Sequence, residues 1–598
     1  MRSITVAASQ TLVVPQTTRT RRLEIEPGGT IAAPAGHSLT LTVDGVETGG
    51  VLAETGGTET RIAAGTYRGD VVLTVTDATP VAWQSLTFPF RQALYVDAGG
   101  VVPAKSVLAA VCGRRGIRIR STGENFNGVY VAGGAHTLTR PRIRFRGNGR
   151  SDFVGFGAAI VGTGAGTRLV VDGAHIRNTG AVRTGVVADG GSNVVVKRSR
   201  IHVDDGVLPS NYQSTVDLAY MQSAPWMLGI AGNVRATNLL GTDTKASYID
   251  SSISSEGWGV LSTDVGQDGQ LTAIDSRIAN TGDEGGYGSY AIGNATERFL
   301  GDRFDVAAYA TINRGGAVFY GDSTRAAVAK LNRDLDLGLS GRELARLPVR
   351  PTVIDSRRFG VMWHGAGSLD VSGGTRLSSR ETTFLDKGQQ VAIDVDGSRG
   401  ASLNPGNGIL MQVMEDDDPG PQMVGGKLLN TGVYHEPTGD PVKVPAFDVT
   451  TAHADDAAAT FTDIALRGDF YNGIRGNNPP GPFGMPGLAG KNLVLNFDGS
   501  RIAGVLSASR ARHHVDTITS ADYLQLGEVT NTPSPVVNNG VIVNLDGGST
   551  WQVAGTSYLS SLTVSADSRV RGTMTVDGVA TPIVPGHSYT GAITVSAG

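Results

Sequence analysis

Three residues near the ends of neighbouring strands carry the types needed for acid–base chemistry: Asp264, Arg314 and His364. A carboxylate, a guanidinium and an imidazole in one groove can bind a uronate and remove a proton from it, or hold a sugar for acid–base cleavage. Trp258, Tyr290 and Trp363 fall beside them with Asn294, and flat aromatic side chains suit stacking on a sugar ring. One alignment brings them together. If successive coils stack, Asp189, Asn233, Asp264, Asn294, Arg314, His364 and Asp394 fall near equivalent strand ends, about 4.8 Å from one coil to the next. A structural role competes at every position, because strand ends turn to Asp and Asn where the backbone bends and must stay hydrogen-bonded.

Two further groups deserve the same weighing. Tyr220 and Trp226, with Asp217, Arg235, Asp243 and Lys245, surround a segment from 208 to 227 that interrupts the strand pattern and is a candidate groove wall. The run Glu415-Asp416-Asp417-Asp418 offers oxygens to calcium, a hard cation. It lacks the alternation and fixed glycine of a calcium loop, so a solvated acidic turn is the stronger reading. No cofactor is otherwise implied, and no serine–histidine–acid phrase, P-loop or zinc spacing occurs.

The elements that position these residues announce themselves by repetition. Ile249-Asp250-Ser251 and Ile274-Asp275-Ser276 lie about 25 residues apart, and Ile354-Asp355-Ser356 follows at roughly three times that distance. Each is read as opening a strand, with a second strand some way on: Trp258–Leu261, Ser289–Ile292 and Phe359–Met362. A repeat of this length marks a solenoid, whose coils bury their apolar faces only by stacking. The coil array is expected over 95–550, with small β modules over 1–94 and 551–598. Thr-Val-Asp-Gly-Val occurs at both 42–46 and 575–579, and Asp-Gly between alternating apolar residues is a hairpin signal. The matching modules read as caps, or as sites of self-association. Three insertions are expected, over 324–350, 409–446 and 473–491. The first is helical, with Val328, Leu331 and Leu335 at helical spacing and Ser340 and Glu343 as a capping box.

Composition narrows the class. With 83 glycines, 18% charged residues and many Val/Ile alternations in 598 residues, the chain is a large β protein and not a disordered one. Its 51 basic and 55 acidic residues argue against general nucleic-acid binding. Basic clusters at Arg114, Arg115, Arg118 and Arg120, and at Arg140, Arg142 and Arg144, are expected to form solvated rows, with an anionic-ligand face as the alternative. Cys112 is the single cysteine, so no internal disulfide is possible. No membrane helix and no signal peptide are visible.

The coil phrases together resemble the right-handed parallel β-helix proteins of the pectate-lyase-like superfamily. The stretch from Val543 to Val564, with Ser549-Thr550-Trp551 and Ser557-Tyr558-Leu559, is similar to terminal coils of bacterial exported and autotransporter-like β-helix proteins. The resemblance implies an all-β solenoid, a secreted or cell-surface location and an extracellular glycan as partner. It does not carry a catalytic motif across. The pectate-lyase phrase Arg-x-Pro-x-x-Arg has only Arg346-Leu347-Pro348-Val349-Arg350 as its nearest match, one residue short. Polygalacturonase phrases are absent. Two functions therefore stand: a polysaccharide lyase or glycoside hydrolase working in a groove, or a non-enzymatic adhesin-like protein.

Overall fold

The computed structural model describes residues 3–108, 116–283, 285–439, 441–476 and 490–598. Cys112, Arg114, Arg115, Phe483 and Met485 lie outside the described residues. Strand makes up 51% of the chain and helix 4%, so the Val/Ile alternation dictates an all-β, solenoid-like fold of mostly parallel sheets. The chain divides into two compact units. The first comprises Met1–Ala224, Ala231–Leu271 and Ala279–Asp283; the second comprises Pro225–Ile230, Thr272–Ile278 and Glu284–Gly598.

In the first unit an antiparallel module precedes the coils. His37–Val43 and Thr18–Ile25 both pair with the long strand Gly65–Asp77, over a core that includes Leu23, Leu41, Val71 and Leu73. Each following coil supplies three strands. Phe126–Val131, Ala135–Thr139 and Arg142–Arg146 are matched in register by Ile160–Thr163, Arg168–Asp172 and His175–Thr179. Val186–Asp189, Asn193–Lys197 and Arg200–Asp204 continue the three stacks. Alternation sorts the faces: Ile119, Ile143, Ile176, Ile201 and Ile253 form one buried column.

The Ile-Asp-Ser phrase marks two different places, not one. Asp250 (φ 48°) and Asp275 (φ 52°) sit at left-handed corners just after the strands Lys245–Ile249 and Gln270–Ile274. Aspartate tolerates that conformation better than most residues. Ile354-Asp355-Ser356 instead lies within the strand Val353–Ser356, where alternation turns Asp355 outward. Positions counted from the phrase are consequently not all equivalent.

The second unit repeats the parallel scheme. One stack runs Tyr287–Ile292, Tyr309–Arg314, Phe359–Trp363, Phe384–Asp386, Ile409–Val413, Asp469–Asn472 and Leu506–His513. The helical insertion forms as its pattern predicts. Arg325–Asp334 buries Val328 and Leu331, and Gly341–Arg346 begins on Ser340, whose hydroxyl accepts from the Glu343 amide while Glu343 accepts from the Ser340 amide. After Val413 the chain leaves the stack, forms the exposed hairpin Gln422–Val424/Lys427–Leu429, and pairs Tyr434–His435 with Thr517–Ile518. Leu506–His513 outruns its coil and folds back antiparallel on Val529–Pro533.

The unit ends on a module like the one that starts the first. Ser557–Val564 pairs parallel with Val541–Asp546 and antiparallel with His587–Ser596, which closes the open edge. The two Asp-Gly turns match in detail. Asp44 and Asp577 both have φ 50° and both accept a hydrogen bond at 2.9 Å, from the amides of Asp70 and Ala592. A Cβ on Gly69 or Gly591, the residue before each donor, would strike that carboxylate at 2.7 or 2.9 Å.

Candidate functional site

The second unit brings its ionisable side chains together beneath the excursion that follows Val413. Register places Arg314, His364 and Lys387 in consecutive rows at the ends of their strands. The excursion lays Asp417 over them. Asp417 Oδ1 forms an ion pair with the Lys387 ammonium, and both side chains are fully buried. Asp417 Oδ2 accepts from the Gly527 amide at 2.6 Å and from His513 Nε2 at 3.0 Å. His513 Nδ1 lies 2.7 Å from Glu436 Oε2, and the Tyr434 ring packs against the imidazole at 4.8 Å. A continuous chain of charge thus runs Lys387–Asp417–His513–Glu436.

The protonation states follow from burial and neighbours. Burial works to raise the Asp417 carboxyl, but Lys387 and His513 outweigh it and hold the group well below the usual carboxylate range. Burial works to lower His513, yet hydrogen bonds to Asp417 and Glu436 push it up to about 9, so it is an imidazolium at neutral pH. His364 goes the other way. Burial, with Lys387 and Arg314 alongside, pushes it down to about 3 and keeps it neutral. Burial also raises Asp416 and Asp418, with the Asp416 charge adding to the shift of Asp418. Tyr434 is raised by burial and by Glu436, so its phenol stays protonated.

Glu436 is where this chain reaches solvent. It lines a cleft with Glu415, Tyr434, Arg475, Arg510, Arg512 and His513, with about 40 Å³ of solvent-sized room inside about 440 Å³ of open space. Arg512 Nη1 stands 3.9 Å from Glu436 Oε1, and Glu415 Oε1 accepts from the amides of Arg475 and Gly476. Guanidinium groups in such a setting recognise a carboxylate in two-pronged fashion. Tyr434 and Glu436 supply a proton donor and a proton acceptor at the same wall.

The residues predicted from the sequence divide. Arg314 and His364 do meet: a Cβ on Gly365 would fall 2.6 Å from Arg314 Cγ, and Arg314 depresses His364. Asp264 belongs to the first unit, where its Oδ2 binds Arg235 Nη1 at 2.6 Å; the same guanidinium holds Asp152 at 2.7 Å. Trp258 and Trp363 are core residues and not groove aromatics. Trp258 packs on Arg235 at 4.9 Å, and Trp363 on Phe384 at 6.1 Å. Trp258 sits at a left-handed corner (φ 41°) and Trp363 ends a strand that is buried along its whole length. Tyr290 is likewise buried, against Tyr287. Trp226 is buried with Met227, Ile518 and Leu526, and its indole donates to the Asn430 carbonyl at 2.8 Å. Tyr220 stacks beneath the Arg150 guanidinium at 4.8 Å. Asn294 (φ 59°) is an exposed left-handed corner on a shallow trough bounded by Gly315, Gly316 and Ala366.

The acidic run is not a solvated turn: Asp417 is buried and Glu415, Asp416 and Asp418 are partly covered. Its middle member is engaged by Lys387 and His513, while Asp416 and Asp418 cap local turns through the amides of Asp418 and Gly420. Among the described residues, no group of three or more His, Cys, Asp or Glu is arranged to hold a metal ion. No helix of the described residues is long and apolar enough to cross a membrane. Comparison with known proteins returned no match: no family model, no curated protein and no solved structure is similar to this chain. His513, Lys387, Arg510 and Arg512 went unnoticed in the sequence. The one signal for them is Arg510-Ala511-Arg512-His513, an alternating basic run that prolongs a strand beyond the length of its neighbours.

Proposed function

We propose that the protein is a carbohydrate-active β-helix protein of the pectate-lyase-like kind that takes a uronate residue of an extracellular polysaccharide into the Glu436 cleft. The observation that carries this is Glu436 itself, presented among three arginines by the buried Lys387–Asp417–His513 chain. Arginines 475, 510 and 512 take the uronate carboxylate and make the adjacent C–H more acidic. Glu436 removes that proton; the electron pair forms a C=C bond and expels the glycosidic oxygen, which the Tyr434 phenol protonates. Three guanidinium groups lining one cleft suit a carboxylate-bearing sugar better than a neutral one, so elimination is favoured over hydrolysis. A secreted or cell-surface location follows from such a substrate.

Incubating the protein with a panel of uronate polymers tests the reading. New unsaturated-uronate absorbance, abolished by Glu436→Gln, is the expected result. Reducing ends without that absorbance would indicate a glycoside hydrolase. Binding with neither signal would leave the adhesin-like alternative.

A further inference from the structure

The first unit carries a second array that the cleft chemistry does not use. Arg118, Arg142, His175 and Arg200 are consecutive register partners on four parallel strands. Arg120, Arg144, Arg177 and His202 form the adjoining column, two residues along each strand. Both columns face outward, and only His202 is even partly covered. Parallel strands place neighbours in a column about 4.8 Å apart. The arginines of the first three strands, with His175, line a shallow trough of about 290 Å³.

Like charges directly opposite one another destabilise a sheet. Here few of them are relieved by a neighbouring acid. Asp204, at the far end, pairs with Arg177 at 3.6 Å and His202 at 2.7 Å. Arg118, Arg120, Arg142, Arg144 and Arg200 have no acidic partner among the described residues. A fold that stacks uncompensated guanidinium groups in register presents an evenly spaced positive track. Its complement is a linear polymer with an anionic group on each unit, which replaces mobile counterions by fixed ones. The outward positions of these strands hold no Phe, Tyr or Trp, so nucleobases would find few ring platforms beyond His175 and His202.

We infer that this face is a binding track for a linear anionic glycan, specifically a polyuronate. The track rests on register and charge alone; the choice of carboxylate over sulfate rests on the reading of the cleft. The test uses an Arg142→Ser/Arg144→Ser double variant, which alters only exposed side chains, and a polygalacturonate oligomer as probe in the Glu436→Gln background, where turnover does not interfere. Affinity should fall about tenfold, with a shallower salt dependence. The double variant should melt no lower than its parent, since repulsion is relieved, and the oligomer should raise the melting temperature of the parent only. Unchanged affinity in the double variant would overturn the track. Equal or tighter binding of single-stranded DNA at the same salt would overturn the glycan, and binding of dextran sulfate but not polygalacturonate would overturn the uronate. Turnover is scored separately with Glu436 intact, so the track and the cleft can fail independently.

Discussion

Each unit buries an ionic cluster, and the two differ in a way that separates architecture from chemistry. In the first unit Arg235 packs against the rings of Phe153 and Trp258, at 4.4 and 4.9 Å, with Asp152 and Asp264 as its carboxylates. One guanidinium is flanked by two tilted rings and held by two acids, and no histidine takes part. In the second unit Lys387, Asp417, His513 and Glu436 form a chain whose inner end is sealed and whose outer end lines a cleft. Both clusters are desolvated and charge-paired. The second is distinguished by an imidazolium whose pKa is pushed up to about 9 and by a terminal carboxylate that opens on a cleft lined by guanidinium groups. Burial of charge is thus a poor marker of a site unless one member titrates and one member opens outward.

Breaking the sealed cluster should have the largest effect. Arg235→Met removes the cation shared by the buried Asp152 and the partly buried Asp264 and should cost about 3–5 kcal/mol, read by urea denaturation. Lys387→Met should cost less, because His513 still faces Asp417; equal losses would mean that the clusters do not differ as described. Next comes pH. His513 is raised to about 9 in the fold, above the ordinary value of about 6.5. Its contribution is therefore complete below about pH 6.5 and disappears as pH rises through about 9, on the order of 3 kcal/mol in all. Asp417, Glu436, Lys387 and Arg512 are the charges around it, and subtracting the melting curves of His513→Gln from those of the parent isolates this window. A flat difference would remove the imidazolium from the account.

Smaller effects sharpen the site itself. Glu436→Gln should lower the rate of uronate elimination by about a hundredfold, with oligomer affinity nearly kept. Trp363→Phe should cost roughly 2 kcal/mol of stability and leave glycan affinity alone, because its ring is part of the core. Asn294→Ala should cost about 1 kcal/mol or less, through its left-handed backbone, again without a change in affinity measured by calorimetry.

Much of the fold was legible because its causes are local. An Asp-Gly pair between apolar strands, a Ser340/Glu343 capping box and the inward column Ile119, Ile143, Ile176, Ile201 and Ile253 act over a few residues, and each formed as its chemistry requires. The site depends on contacts that local rules do not reach. His513 meets Glu436 across 77 residues and Asp417 across 96, because an overlong strand folds back under a separate excursion. The alignment of strand ends found Arg314 beside His364 but mistook Trp258 and Trp363 for surface residues. Period-two alternation says that successive residues face opposite ways; it does not say which way an isolated tryptophan at a corner will turn.

The paired Asp-Gly modules have a consequence for how such a chain changes length. Asp44 with Gly69 and Asp577 with Gly591 complete their contacts inside their own modules, each aspartate accepting from an amide 26 or 15 residues along the chain. Duplication or loss of a coil between them would leave both turns intact. Neither turn depends on the number of coils that separates them.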